Sequence, residues 1–203
     1  MNLLLFIRSG WFMIPIGLLL LISLVVFIER LIVIRKAEKE DATFMKRVRD
    51  YLHSGKADSA VNLCRMSNTP NSRMIEKGIS RLGRPENNIQ ATIENTRHIE
   101  IAKLKKGFPW IAVTVAAAPM LGFLGTAIGM VRTFHAANAG SGAGIKLLSS
   151  GMYEALATTV AGLIVGIIAW LFYNYLIAGV NKIANDMESR LMEFMDLLNE
   201  PTN

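Results

Sequence analysis

The sequence predicts an all-α membrane protein with three transmembrane helices, the second and third extended into the cytoplasm. Three observations carry this expectation. The 203 residues are 52% hydrophobic, with mean hydropathy +0.35, too apolar for an ordinary soluble domain. Trp11 to Ile28, Phe108 to Val131 and Ala155 to Asn181 are each free of charge, and each reaches the roughly 18 residues a helix needs to cross a hydrocarbon core about 30 Å thick. The charge between these runs is lopsided. Residues 35–106 hold 16 Lys or Arg against 9 Asp or Glu, whereas the connection between the second and third runs carries only Lys146 beyond Arg132.

Residues 1–34 read as an N-terminal segment and first transmembrane helix. Little basic charge precedes the apolar run beyond Arg8, no small-residue cleavage site follows, and Glu29, Arg30, Arg35 and Lys36 close it; an anchor is expected, not a cleaved signal. Residues 35–107 form a cytoplasmic helical loop by the positive-inside rule, which puts the N-terminus in the periplasm and the C-terminus in the cytoplasm. The stretches "HSGKAD", "SNTPNS" and "LGRPENN" punctuate that loop, and a small helical hairpin is expected. Phe44, Val48, Tyr51 and Leu52 share one helical face, as do Ile75, Ile79 and Leu82. From Glu86 no breaker occurs until Gly107, so that helix is expected to run into the second transmembrane helix, residues 108–134. A short periplasmic loop (135–150), a third transmembrane helix (151–180) and a cytoplasmic amphipathic tail (181–203) complete the chain. Trp110 and Trp170 are assigned to the cytoplasmic interface and Trp11 to the outer one.

In the tail, Ile183, Met187, Leu191, Phe194 and Leu198 make an apolar stripe at spacings of four, four, three and four. Such a stripe needs a covering surface. A chain of this size is expected to offer too little, which predicts lateral assembly into a bundle or ring.

The formal charge of +6 is concentrated beside the membrane, so it reports topology, and no nucleic-acid motif accompanies it. Cys64 is the single cysteine, which excludes an intrachain disulfide framework. His53 and His98 have no ligand cluster at metal spacing. "GSGAGIK" lacks the spacing of a phosphate-binding loop, and neither a Ser, His and Asp set nor an HExxH helix appears. No cofactor, no metal and no enzymatic activity are expected.

The polar atoms inside the spans are the candidates for function. Thr126 lies 16 residues beyond Trp110, and Glu154 lies 16 residues before Trp170. At about 1.5 Å per residue this predicts a shared depth for Thr126 and Glu154, with Thr159 nearer the midplane. Glu154 is the single ionisable residue between Lys146 and Lys182, and a carboxylate in lipid costs about 2.5 kcal/mol or more. It faces protein or water, either as a proton-exchanging carboxyl or as a solvated group that ends a helix. Gly125 and Gly129 form a GxxxG pair, Ala118, Gly122 and Thr126 lie four apart, and Thr158, Gly162 and Gly166 continue a stripe from Glu154. Small residues let helix backbones touch. The threonines either bond back to their own helix carbonyls or offer hydroxyls elsewhere. Pro119 is expected to kink or loosen its helix and free carbonyls, and Arg132 and His135 to anchor the outer end of the second span.

Together, "APMLGFLGTAIGMVRTF" and "GMYEALATTVAGLIVGIIAWLFYN" resemble the paired signature of the MotA/TolQ/ExbB proton-channel family. The likeness covers about residues 90 to 180. It implies a ring-shaped homo-oligomer, a homopentamer, whose second and third helices line a lumen. There the ring would hold a smaller single-span partner of the ExbD or TolR type that carries a membrane aspartate. It also implies that Thr126, Glu154 and Thr159 belong to the proton pathway. Three spans, and a glutamate at position 154, favour the ExbB and TolQ branches over MotA. The implied function is an inner-membrane motor subunit that uses the proton motive force to energise outer-membrane transport through a TonB-like protein. A TolQ-like envelope-integrity role through a TolA-like protein is the alternative within the family, and a structural membrane scaffold the alternative outside it.

Overall fold

The structure, a computed structural model, describes residues 12–39, 43–138 and 144–199. Trp11 and most of "GSGAGIK" lie outside the described residues. All regular structure among the described residues is helical. The elements are α1 (Met13–Glu38), α2 (Phe44–His53), α3 (Ala57–Ser67), α4 (Pro70–Ile79), α5 (Glu86–Leu104), α6 (Phe108–Asn138) and α7 (Gly144–Asn199). Three helices, Met13–Glu38, Phe108–His135 and Leu148–Asn199, are long and apolar enough to cross a membrane. The described residues fall into two compact units.

The first unit comprises residues 12–29 and 107–175. Ile16 of α1, Ala118 of α6 and Val165 of α7 form its buried core, with Leu19, Leu20 and Leu121 against them. Thr114 is fully buried; its hydroxyl donates to the Trp110 carbonyl at 3.1 Å, with the Leu19 carbonyl of α1 at 3.4 Å. A buried hydroxyl therefore finds its acceptors without water, as the interior of a membrane requires. The Phe27 and Phe172 rings stack at 4.1 Å, and Phe108 meets Tyr173 edge-on at 6.1 Å. Helix α6 stays helical through Pro119. The Val115 carbonyl, which would have bonded the missing proline N–H, faces Gly166 of α7, where a Cβ would stand 3.5 Å from that oxygen.

The second unit comprises residues 30–106 and 176–199 of the described chain. The loop expected in the cytoplasm is not a hairpin. Each stretch of turn residues ends one helix and begins another, giving α2, α3, α4 and α5, with α2 against α3, α3 against α4 and α4 against α5. "SNTPNS" illustrates the device. Asn68 takes a left-handed conformation (φ 47°) that ends α3, Pro70 sits in the first turn of α4, and Thr69 and Ser72 exchange hydrogen bonds in a capping box that satisfies the orphan N–H groups. Phe44, Val48, Ile75 and Ile79 are buried as their faces require, but Tyr51 and Leu82 are exposed.

Two expectations are corrected here. The helix from Glu86 does not run into the second span: α5 ends at Leu104, and Gly107, at φ +90°, turns the chain before α6 begins, a conformation that glycine adopts without steric cost. The apolar tail stripe is covered by its own chain. Ile183, Met187, Leu191, Phe194 and Leu197 of α7 are all buried, with Leu197 in place of Leu198 at the last turn. At Gly78 of α4 a Cβ would lie 2.7 Å from Ile93 and 2.8 Å from Phe194. Arg97 pairs with Glu188, and Asn199 donates to Glu86 at 3.0 Å. Helices α4 and α5 supply the surface that was expected from a neighbouring subunit, so the stripe is no argument for assembly.

Candidate functional site

Helices α6 and α7 meet along a seam of small residues. A Cβ on Gly162 would fall 2.5 Å from the Ala118 carbonyl oxygen and 3.0 Å from Gly122 Cα; one on Gly122 would meet the Thr158 carbonyl at 2.9 Å. Gly125 lies against Thr158, Gly129 against Ala155, and Gly166 against the Pro119 ring. At Gly122 and Gly162 backbone meets backbone, and at Gly125, Gly129 and Gly166 a small gap is filled by a side chain of the facing helix; a larger residue would crowd any of them.

The seam brings Thr126 and Thr159 together. Their hydroxyl oxygens are in direct hydrogen-bonding contact. The Thr126 hydroxyl also reaches the Ala155 carbonyl of α7 at 2.9 Å and its own Gly122 carbonyl at 3.3 Å, and the Thr159 hydroxyl reaches the Gly122 carbonyl of α6 at 3.1 Å. Each hydroxyl has one proton to donate. The pair therefore has two orders: Thr159 donates to Thr126 and Thr126 to Ala155, or Thr126 donates to Thr159 and Thr159 to Gly122. Each order engages both hydroxyls and one of the two carbonyls, Ala155 in the first and Gly122 in the second, and exchanging them reverses the polarity of a short hydrogen-bonded chain across the seam.

Glu154 is not level with Thr126, as equal spacing from the two tryptophans predicted. Thr126 bonds to Ala155 and Thr159, and Gly129 is what faces Ala155, so Glu154 sits about one turn, roughly 5 Å, farther along the seam. The seam itself sets this register: Gly122 faces Gly162, Gly129 faces Ala155 and Gly151 faces Thr133, so in these antiparallel helices residue 130, one turn beyond Thr126, stands level with Glu154. Trp110 and Trp170 are both exposed.

Glu154 is exposed on the single chain, and with Phe12, Gly125, Ile128, Gly129, Arg132, Thr133, Gly151, Ala155 and Thr158 it lines a cavity of about 140 Å³. Phe12, Ile128, Thr133 and Gly151 were not singled out by sequence. Gly151 could have been found, because it continues the small-residue spacing of Ala155, Thr158 and Gly162 by one more turn. Among the described residues no group of three His, Cys, Asp or Glu side chains gathers to hold a metal ion.

The family model described as "MotA/TolQ/ExbB proton channel family" matches residues 66–189, which include the whole seam and much of the second unit. Similar proteins include the putative biopolymer transport protein ExbB-like 1 of Synechocystis sp., 39% identical over 89 residues, 42% of this chain and 35% of that protein. A putative ExbB homolog of Methanothermobacter thermautotrophicus is 28% identical over 141 residues, 70% of this chain and 50% of that protein. The Tol-Pal system protein TolQ of Haemophilus influenzae is 32% identical over 99 residues, 49% of this chain and 43% of that protein. The chain thus spans a third to a half of the length of these relatives. With more than half of its residues matched by one family model and its relatives bearing both ExbB and TolQ names, the chain belongs to the MotA/TolQ/ExbB proton channel family, on its ExbB/TolQ side.

Proposed function

We propose that this chain is a motor subunit of the bacterial inner membrane that uses the proton motive force, together with a single-span ExbD- or TolR-like partner carrying a membrane aspartate, to energise outer-membrane transport through a TonB-like protein. The observation that carries the reading is the Thr126–Thr159 hydroxyl pair set into the glycine seam, one turn from the Glu154 carboxyl. Two hydroxyls whose hydrogen-bond order can reverse suit a proton step, and a carboxyl at one end suits a proton acceptor. A single glutamate leaves the inner half of the membrane without a second titratable carrier among the described residues, which is the place for the partner's aspartate.

Assembly of several copies into a ring, a homopentamer by resemblance, is part of the same reading. Its support is the surface of the pair: Met120 and Phe123 of α6 and Leu156, Val160 and Leu163 of α7 are exposed, and Glu154 is uncovered in one chain. A carboxyl at membrane depth calls for protein or water around it. The excess of basic residues in 35–106 supports a cytoplasmic loop and C-terminus and a periplasmic N-terminus.

A TolQ-like role in envelope integrity is the second reading, favoured by the similarity to the Haemophilus protein. The test is complementation with Glu154→Gln and Thr159→Val at equal protein abundance. Both should abolish energised function and leave the oligomer intact, and Thr126→Val should impair it. Loss of energised uptake assigns the ExbB-like role, and detergent sensitivity assigns the TolQ-like one. If Glu154→Gln supports both phenotypes at the wild-type level, the chain is a scaffold.

A further inference from the structure

The cavity beside Glu154 is rich in hydrogen-bond acceptors. The Thr158 hydroxyl donates to the Ala155 carbonyl at 2.7 Å and the Thr133 hydroxyl to the Gly129 carbonyl at 2.8 Å. Each has thereby spent its one proton on its own helix, and its oxygen is left as an acceptor only. Both are buried. With the Glu154 carboxylate they make a set of oxygens of the kind that hard cations such as sodium bind. The volume, about 140 Å³, has room for several waters or a partly hydrated ion. By oxygen chemistry alone this is a cation site in the membrane.

Arg132 is the group that changes this. It and Glu154 are the two charged residues of the cavity lining. Among the described residues neither is committed to an ion pair; Arg132 is exposed and lines the cavity, so its long side chain is free to turn its guanidinium toward these oxygens. Its five N–H donors stay charged at every physiological pH. They compete for the oxygens that a metal ion would need, and their charge opposes a second cation at short range. A proton is treated differently. It travels along hydrogen-bonded water and ends in a covalent O–H bond on one carboxyl oxygen, so it needs no shell of ligands.

We infer that Arg132 is a specificity-determining residue that occupies the cavity as its resident cation, excluding sodium and potassium from Glu154 while leaving it open to protons. The inference rests on the reading of Glu154 as a proton-exchanging carboxyl.

The experiment uses the full chain purified in mild detergent and dicyclohexylcarbodiimide, which modifies protonated carboxyls in apolar surroundings. Labelling of Glu154 is followed by mass spectrometry in sodium chloride and in choline chloride of equal strength. Wild type and Arg132→Lys should label at the same rate in both salts. Arg132→Gln and Arg132→Ala should label more slowly in sodium by roughly threefold or more, the protection expected once sodium reaches about twice its dissociation constant. Charge-removing variants that label equally in both salts overturn the role of Arg132, as does a wild type already protected by sodium. If Glu154 of wild type does not label in either salt, the proton-exchanging reading of Glu154 fails and the inference falls with it.

Discussion

The hydroxyl of Thr126 on α6 meets the hydroxyl of Thr159 on α7, and each also reaches a carbonyl of the opposite helix. The pair is at once a tie between two helices and a hydrogen-bonded chain with two possible orders, one ending on the Ala155 carbonyl and the other on the Gly122 carbonyl. Replacing one threonine by valine leaves the other hydroxyl a backbone acceptor, so neither single change strands a buried donor.

Thr126→Val and Thr159→Val should each lower the stability of the α6–α7 pair by about 0.5–1.5 kcal/mol, the net value of a hydrogen bond. The double variant should cost less than the sum, with a coupling of about 0.6 kcal/mol as for interhelical hydrogen bonds in membranes. A double-mutant cycle on unfolding in detergent measures it. Strict additivity would mean the two hydroxyls act independently.

The glycines make a sharper contrast. At Gly162 an added methyl group would collide with the Ala118 carbonyl and the Gly122 backbone, neither of which can rotate away, whereas at Gly17 nothing lies within 4 Å. Gly162→Ala should therefore destabilise the chain by about 1–3 kcal/mol, the cost of overpacking. Gly17→Ala should be neutral, or stabilising by up to about 1 kcal/mol through helix propensity. Thermal unfolding of the two variants side by side distinguishes them, and equal effects would remove the close approach from the account. The Gly162 contact is within one chain, so loss of oligomer in Gly162→Leu would follow from loss of the helix pair.

Much of this was legible in the sequence. Length without charge marked the three apolar helices, and the spacing of Ala118, Gly122 and Thr126 against Thr158, Gly162 and Gly166 marked the seam, because close packing leaves a periodic record of small residues. Depth was less legible. Trp110 and Trp170 were treated as markers of one plane, but an interfacial tryptophan tolerates a turn of displacement, and the close approaches of Gly122 to Gly162 and of Gly129 to Ala155 set the actual register. The tail stripe was legible as apolar and not as covered, since its cover comes from Ile93 and the helices around Gly78, about a hundred residues earlier in the chain. Nothing in Arg132 or Thr133 alone announced a shared cavity with Glu154.

Topology needs a different reporter from the native thiol. Cys64, the single cysteine, is fully buried, whereas Met66, two residues on, is 85% exposed. In a Cys64→Ala background, Met66→Cys should be labelled only after the inner membrane is opened. Labelling in cells permeabilised at the outer membrane alone would reverse the orientation. Native Cys64 should resist labelling until the second unit unfolds, which makes it a reporter of that unit's stability.

That reporter suits Glu100, a buried carboxylate on α5. Arg73 of α4 donates to it through Nε at 3.0 Å and Nη2 at 2.5 Å, and Lys103 through Nζ at 2.6 Å. Arg73 is itself held by the Asn68 carbonyl and side chain, each at 2.9 Å, so one network joins the end of α3 to α4 and α5. Burial by itself would raise the Glu100 carboxyl; the hydrogen bonds and charges of Arg73 and Lys103 outweigh it and hold the group below its ordinary value of 4.5. A carboxyl whose folded value is depressed binds fewer protons than the unfolded chain, so its contribution is complete above 4.5 and is lost as pH falls from there through the folded value. Cys64 in the full chain should stay slow to react with a thiol reagent active in acid, such as a pyridyl disulfide, down to about pH 5, and become reactive below it. Glu100→Gln keeps the shape but leaves Arg73 without its anionic partner, a change that costs about 3–5 kcal/mol for a buried pair. That variant should expose Cys64 already at neutral pH and should lose the acid-dependent step arising from Glu100. A wild-type exposure curve unchanged by Glu100→Gln would show that the network does not hold the unit together.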